Sequence, residues 1–200
     1  MFPLGGVLFP HAVLPLHVFE PRYRQMTEEC IAGDGTFGVV LIERGSEVGG
    51  GDVRFDVGTL ARIVQAGRFD DGRYALVAVG VSRLRVHAWL PDDPYPRAEI
   101  ELVDDPPSAP APDRLDEVSR LLARVRALHA ELGAPIPPDP VELSRDDAAR
   151  ASFEASAAAP LGPLDAQALL ALDDPTTRLD HLLELLGEEE RVLSFRLSGG

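Results

Sequence analysis

Few residues of this chain have the types and spacing that chemistry requires. His11, His17 and Glu20 lie close together in the sequence, and imidazole and carboxylate groups are common metal ligands. No second cluster of ligands at suitable spacing accompanies them. We therefore interpret them as two histidines of a corner and one charge at a helix end. The sequence predicts no metal site and no cofactor.

Motifs for nucleophilic catalysis and for phosphate binding are missing. All 19 basic residues are arginine, so the chain has no lysine for a Ser–Lys dyad, a Schiff base or a P-loop. The glycines at 49–51 lack the Lys and Ser/Thr of a phosphate-binding loop and predict a flexible loop. The aspartate pairs 70–71, 92–93 and 173–174 lie in turn contexts and are interpreted as solvated. We expect no catalytic residues and no enzymatic activity.

Charge and composition argue against several classes of partner. The formal net charge of −14 opposes long-range attraction to nucleic acid or anionic lipid. Cys30 is the only cysteine, which excludes a disulfide framework and fits a reducing compartment. The apolar start of the chain has no basic residue before Arg22 and is interrupted by prolines, so it predicts neither a signal peptide nor a membrane span. We expect a cytoplasmic protein.

The first predicted element is a buried strand that ends in a proline corner. The apolar run Leu4–Phe9 predicts the strand, because it is short and ends at Pro10. The corner extends to Pro15. The chain is then expected to return to the core with three side chains, those of Leu16, Val18 and Phe19.

A helix is predicted to begin at Pro21, because proline suits the first turn, where its missing N–H needs no partner. Glu20 places a negative charge beside the positive end of this helix, which is expected to run to about Ala32. Glu20, Pro21 and Arg22 form the predicted structural corner. In it Glu20 accepts bonds from backbone N–H groups or from an arginine fork.

Strands follow, and a hairpin is predicted at Asp71–Gly72, between two strand-like runs. In the second half of the later run, Arg83, Arg85 and His87 alternate with apolar residues, which predicts a half-buried strand whose polar face carries the arginines. The predicted strands are Thr36–Glu43, Val53–Phe69, Tyr74–Trp89 and Arg97–Val103.

Helices replace strands after a proline-rich stretch. The predicted helices are Asp113–Leu132, Asp146–Ala159, Asp165–Leu172 with Asp165 as its cap, Pro175–Leu186 and Glu188–Leu197. Runs of strands followed by runs of helices predict an α+β fold. We assign residues 1–105 to a β part, 106–112 to a linker and 113–200 to a helical part, both parts belonging to one unit.

Several stretches carry a family resemblance, above all LPLHVFEPRYR at Leu14–Arg24, then FGVVLI at Phe37–Ile42, GTLARI at Gly58–Ile63 and GVSRLRV at Gly80–Val86. In this order the chain resembles the N-terminal substrate-binding domain of the Lon protease family over nearly its whole length. The resemblance implies a PUA-like β pseudo-barrel closed by a helical subdomain, and a role in binding polypeptide. Lon proteases add ATPase and protease domains, so we expect a stand-alone copy of the binding module.

For such a module we name Phe19, Tyr23 and Trp89 as apolar peptide contacts and Arg83 and Arg85 as charges at the rim. Binding would use exposed apolar side chains and unpaired strand edges. Two alternatives stay open. The first is a PUA-like RNA-binding protein that uses an arginine patch. The second is an adaptor subunit that brings clients to a separately encoded ATP-dependent protease and docks through the amphipathic helix at 113–132.

Overall fold

Strands and helices separate along the chain, in an α+β arrangement. The computed structural model divides into two compact units, Met1–Asp104 with all the described strands and Asp105–Gly200 with four described helices. The described residues are 1–45, 51–105, 109, 111–136 and 140–198. Most of the predicted linker and two of the three glycines at 49–51 lie outside them. That both units form one Lon-type module stays a prediction.

The first unit contains one mixed six-stranded sheet and one helix. The strand order is β1-β3-β4-β5-β2, and β6 also pairs with β5; β1 and β3 are parallel and the other pairs antiparallel. The predicted helix at Pro21 and the four later strands are confirmed. The elements are β1 (Phe2–Leu4), β2 (Val13–Val18), α1 (Pro21–Ala32), β3 (Thr36–Arg44), β4 (Val53–Arg68), β5 (Tyr74–Leu90) and β6 (Arg97–Val103).

The predicted strand at Leu4–Phe9 is wrong. The strand is β1, which ends where the prediction began, because Gly5 and Gly6 bend the chain and offer no side chains for a sheet to pack. Leu8 and Phe9 are still buried, but as a segment outside the sheet. The hydroxyl of Thr59 donates a hydrogen bond of 2.5 Å to the Leu8 carbonyl and holds this segment.

The corner after Pro10 is shorter than predicted, because Pro15 lies inside β2. The strand tolerates this proline because β2 is the end strand of the sheet order, where one side of the backbone needs no donor. Phe19 does not return to the core as expected: it is 52% exposed, whereas Val18 before it is 1% exposed. Successive side chains of an extended segment point to opposite faces, so burying Val18 turns Phe19 outward.

Arg83 is buried, with 1% of its surface exposed, so the predicted polar face of β5 is wrong at this position. Ala61 pairs with Gly80 and Leu60 with Ser82, which leaves Val81 as an extra residue in β5. This β-bulge shifts the alternation of side chains by one residue. Arg83 therefore shares a face with Thr59, its partner on β4, and this face packs into the main core.

The core of the first unit has two parts, one on each face of the sheet. The larger part contains the stacked rings of Phe2 and Tyr23. The smaller part contains Val40, Leu84 and Val86. The long strand β5 contributes to both parts because of its bulge. The remaining buried members of the larger part are Leu8, Val18, Met26, Phe37, Val39, Ala61, Tyr74, Leu76 and Ala78.

The second unit contains α2 (Pro112–Glu131), α3 (Ala148–Ala158), α4 (Pro163–Ala171) and α5 (Pro175–Ser198). The apolar stripe predicted on α2 is confirmed; it is largely buried from Leu115 to Leu128, and only Leu132 at its end is 43% exposed. Most of the stripe is therefore not an open docking face. Asp165 does not cap α4: Gly162 occupies that position and Asp165 lies in the first turn. An aspartate does cap another helix: Asp147 is the N-cap of α3, and its side chain accepts a hydrogen bond of 3.0 Å from the Arg150 amide.

The two helices predicted at the end of the chain are one helix, α5, which runs through Gly187. A single glycine inside a helix costs only about 1 kcal/mol relative to alanine, and the buried leucines on both sides outweigh that cost. Leu179, Leu182, Leu186 and Leu193 are each at most 3% exposed.

Replacing Gly187 with alanine should therefore stabilise the protein by about 1 kcal/mol. A Cβ added at Gly187 would meet no atom within 4 Å, so the methyl group brings helix propensity without a clash. A rise in the urea midpoint, followed by circular dichroism at 222 nm, would show the gain. A fall in the midpoint would contradict it.

Candidate functional site

A cleft of about 180 Å³ separates β1 from β2 and the start of α1. In the described part of the chain, β1 pairs only with β3 and β2 only with β5, so each of these two cleft-lining strands has one edge without a strand partner. The lining residues are mostly apolar: Phe2, Leu4, Pro15, Leu16, His17, Val18, Phe19, Glu20 and Tyr23. Apolar walls beside open backbone edges are suited to an extended peptide.

Tyr23 lines the cleft from a buried position, with only 3% of its surface exposed. Its ring stacks on Phe2 with 4.3 Å between centroids, and the Arg22 guanidinium lies 4.5 Å from the same ring. Burial raises the pKa of Tyr23 to about 12, so the phenol stays protonated. Tyr23 supports the cleft and offers little surface for contact.

Glu20 and Arg22 form an ion pair across the turn that leads into α1. The Arg22 Nε lies 3.1 Å from Glu20 Oε2, and both side chains are more than four-fifths buried. The Glu20 side chain makes no capping bond to the helix. The two charged residues of the predicted structural corner, Glu20 and Arg22, therefore pair with each other, and Glu20 lines the cleft.

Phe19 lies at the rim of the cleft and is the most exposed aromatic residue there. It follows directly on β2, and the buried Val18 fixes the backbone in front of it. Phe19 can therefore contact a bound segment without a rearrangement of the fold.

The other predicted site residues do not line this cleft. Trp89 is half-buried, with the Arg54 guanidinium 4.7 Å from its ring and its indole N–H donating to Asp56 at 3.3 Å. Arg85 lies 3.7 Å from Glu101 on β6, and Arg83 is buried. The structure thus brings Phe19 and Tyr23 together and places the other three elsewhere.

His11 precedes β2, His17 lies in it, and Glu20 comes directly before α1. Among the described residues, no three His, Cys, Asp or Glu side chains are grouped so that they could hold a metal ion. The His11 backbone adopts a positive φ of 67°, and its amide donates a 2.9 Å bond to the Gly80 carbonyl. His17 is exposed, with its ring 5.9 Å from that of Phe69.

Phe2 and Leu4 are cleft residues that the sequence did not reveal. They reach the site because β1 pairs in parallel with β3, where Phe2 lies opposite Val39. The only local signal was the apolar Phe2–Leu4 run before Gly5 and Gly6. The described helices include none with the length and apolar character that a membrane crossing requires.

Comparison with known proteins identifies the family. The family model described as "ATP-dependent protease La (LON) substrate-binding domain" matches residues 1–188 of this chain. Lon protease of Trichlorobacter lovleyi is 28% identical over 94% of this chain, and that of Escherichia coli is 29% identical over 94%. The chain spans 23% and 24% of the length of these two relatives, and the match lies at their N-terminal end.

Solved structures agree with this result. A Lon N-terminal domain protein from Xanthomonas campestris has 30% identity and a TM-score of 0.68, covering 92% of this chain and 95% of that one. The N-terminal domain of a Mycobacterium avium complex Lon protease shares the fold, with a TM-score of 0.60 at 20% identity, covering 92% and 96%. The matched domain is a substrate-binding domain and not a catalytic one, which agrees with the expectation that this chain has no enzymatic activity. This chain belongs to the Lon substrate-binding domain family.

Proposed function

We propose that this chain binds extended or unfolded segments of polypeptide in the cleft between β1 and β2 and leaves them chemically unchanged. The observation that carries the proposal is the cleft itself, where an exposed aromatic rim and apolar walls lie beside two unpaired strand edges. The matching family model describes a substrate-binding domain, which supports the proposed binding of polypeptide.

The two strand edges define how a segment would bind. Pro3 and Pro15 remove one backbone donor from β1 and one from β2, so the edges offer more carbonyl acceptors than donors. A bound segment would donate N–H groups to them and place apolar side chains against Phe19. Because the strands are short, we expect affinities in the micromolar range.

Finer features belong to the same proposal. We assign the six-stranded sheet to a PUA-like pseudo-barrel and the second unit to its helical subdomain, as the strand order and the division at Asp104 suggest. A single cysteine supports a cytoplasmic location, and a net charge of −14 argues against nucleic acid as the partner.

Replacing Phe19 with alanine should weaken polypeptide binding about fivefold to tenfold, because an exposed aromatic anchor contributes about 1 kcal/mol or more. The measurement is fluorescence anisotropy of a labelled, reduced and alkylated polypeptide that cannot refold, titrated at low and high salt. Tyr23 is left intact because it is buried.

The matched control is Phe195→Ala on α5, since Phe195 is 78% exposed and lies in the other unit. Its binding constant should equal that of the unchanged protein. Equal weakening by both variants would mean nonspecific apolar adhesion. Binding that Phe19→Ala leaves unchanged would remove the cleft from the proposal. A labelled RNA titrated in parallel should not bind; salt-sensitive RNA binding alone would favour the RNA-binding alternative.

A further inference from the structure

The last strand of the sheet, β6, has one free edge. Among the described residues, its seven residues pair only with β5. No backbone hydrogen bond joins β6 to any other described segment. In a strand with a single neighbour, about half of the N–H and C=O groups point away from that neighbour. Because β6 contains no proline, it keeps all of these outward donors and acceptors.

One face of β6 continues the smaller core of the first unit but is left open. Ile100 lies opposite the buried Val86, and Leu102 lies opposite the buried Leu84, so both share the face of that core. Yet Ile100 is 37% exposed and Leu102 is 55% exposed. A further strand along β6 would place its own apolar residues beside these two and cover them. The free edge and the open apolar row therefore fit the same occupant, an extended segment.

The opposite face of β6 carries two glutamates in its middle, Glu99 and Glu101. Glu101 is already paired: its Oε1 lies 3.7 Å from Arg85 Nη1 and its Oε2 lies 3.2 Å from His87 Nε2. Arg97 is also on this face, and its charge acts on a carboxylate of α1. Glu99 is exposed and makes no ion pair with any described residue. A basic residue is therefore favoured beside Glu99 on an added strand.

The same glutamates disfavour a second copy of this chain as the occupant. If two β6 strands paired antiparallel about Ile100, their middle residue, Glu99 of each copy would lie opposite Glu101 of the other. A parallel pairing in register would place each glutamate beside its own counterpart. Like charges on directly neighbouring residues of two strands are destabilising. A segment with basic residues meets no such repulsion, and the net charge of −14 attracts it.

We propose that β6 binds an extended segment of a partner protein by adding it to the sheet as a further strand. Apolar residues of the segment lie beside Ile100 and Leu102, and a basic residue lies beside Glu99. This surface is separate from the cleft, because no residue of β6 lines the cleft. The inference therefore does not depend on the proposed function, and substitutions can test the two sites one at a time.

The probe is a labelled peptide of the same length as β6, with valine and lysine at alternate positions, titrated by fluorescence anisotropy. Two control peptides accompany it: one with glutamate in place of lysine, and one whose backbone amides are N-methylated, so that it cannot donate to a strand edge. We expect saturable binding of the lysine peptide, about tenfold tighter than that of either control. No saturable binding, or equal binding of either control peptide, would overturn the proposal.

Variants of the protein locate the site. Glu99→Lys should weaken binding of the lysine peptide about fivefold and strengthen binding of the glutamate peptide, because the charge beside the added strand is reversed. Glu188→Lys, the same change at an exposed glutamate of α5, is the matched control for net charge and should change neither. Phe19→Ala should leave binding of the lysine peptide unchanged. Loss of binding in Phe19→Ala, or unchanged binding in Glu99→Lys, would refute the assignment to β6.

Amide hydrogen exchange followed by NMR reports on the strand edge directly. The outward amides of β6 exchange with solvent in the free protein, and the bound lysine peptide should slow the exchange of about every second amide of this strand. Protection that arises only in β1 or β2 would contradict the proposal. Self-association in sedimentation that Leu102→Asp abolishes would show that a second copy of the chain, and not a partner segment, covers the edge.

Discussion

Replacing Arg178 with methionine should destabilise the helical unit by about 3–5 kcal/mol, because it removes a buried charge to which several partners are bound. Arg178 lies in α5 and has no exposed surface. Its Nη2 donates to Asp105 Oδ1 at 2.9 Å, and its Nη1 donates to Ser152 Oγ at 2.6 Å. Its Nε and Nη2 reach the carbonyls of Leu169 and Leu172 at 3.2 and 2.5 Å.

These partners come from three separate segments of the second unit. Asp105 is the first residue of the unit, Ser152 lies in α3, and the two carbonyls belong to the end of α4. The ring of Phe153 adds a cation–π contact, 3.9 Å from the guanidinium carbon. Methionine fills a similar volume but takes one donor away from a mostly buried carboxylate, from the Ser152 hydroxyl and from two carbonyls, and the loss of hydrogen bonds to buried acceptors is costly.

Urea unfolding followed by circular dichroism at 222 nm would report chiefly on the helices, and fluorescence of Trp89, the only tryptophan, on the first unit. Arg178→Lys should recover only part of the loss, because an ammonium group cannot reproduce the planar fork. The control is Arg114→Met, which breaks exposed ion pairs with Glu117 and Asp180 and should cost at most about 1 kcal/mol. Similar losses for Arg178→Met and Arg114→Met would contradict the assigned role.

Sequence patterns predicted the elements whose determinants are local. The proline at position 21 marked the start of α1, and the 3.6-residue period of α2 gave both its length and its buried stripe. Phe19, Glu20 and Tyr23 line the same cleft because they are neighbours in the chain. The cleft that they line needed structure, since its opposite wall is β1, which pairs with a strand far along the sequence.

Features set by contacts between distant segments could not be predicted. The bulge at Val81 buries Arg83, and it arises from the register of β5 against β4. No local pattern indicates the role of Arg178, because its acceptors lie on three other segments. The continuity of α5 across Gly187 depends on leucines packed on both sides of a glycine whose local cost is small.

Replacing Gly58 with alanine should cost about 3 kcal/mol or more, because β3 and β4 approach too closely there for a side chain. A Cβ at Gly58 would lie 2.2 Å from the Val39 carbonyl oxygen and 2.7 Å from Val40 Cγ1. The oxygen belongs to the backbone of β3, so it can move only if the ladder between the two strands opens. Val39 is also the partner of Phe2, so this displacement would reach the cleft.

Gly67→Ala is the matched control, since it makes the same change in the same strand. The nearest atom to a Cβ at Gly67 is the Ala75 carbonyl oxygen at 3.9 Å, and the residue is exposed. Its stability should change by at most about 0.5 kcal/mol. Urea unfolding monitored by Trp89 fluorescence compares the two variants, and binding of the unfolded polypeptide should weaken only in Gly58→Ala. Equal urea midpoints for Gly58→Ala and Gly67→Ala would show that β3 can move at this position without a loss of stability. The close approach of β3 and β4 would then not be what holds β1 and its side of the cleft in place.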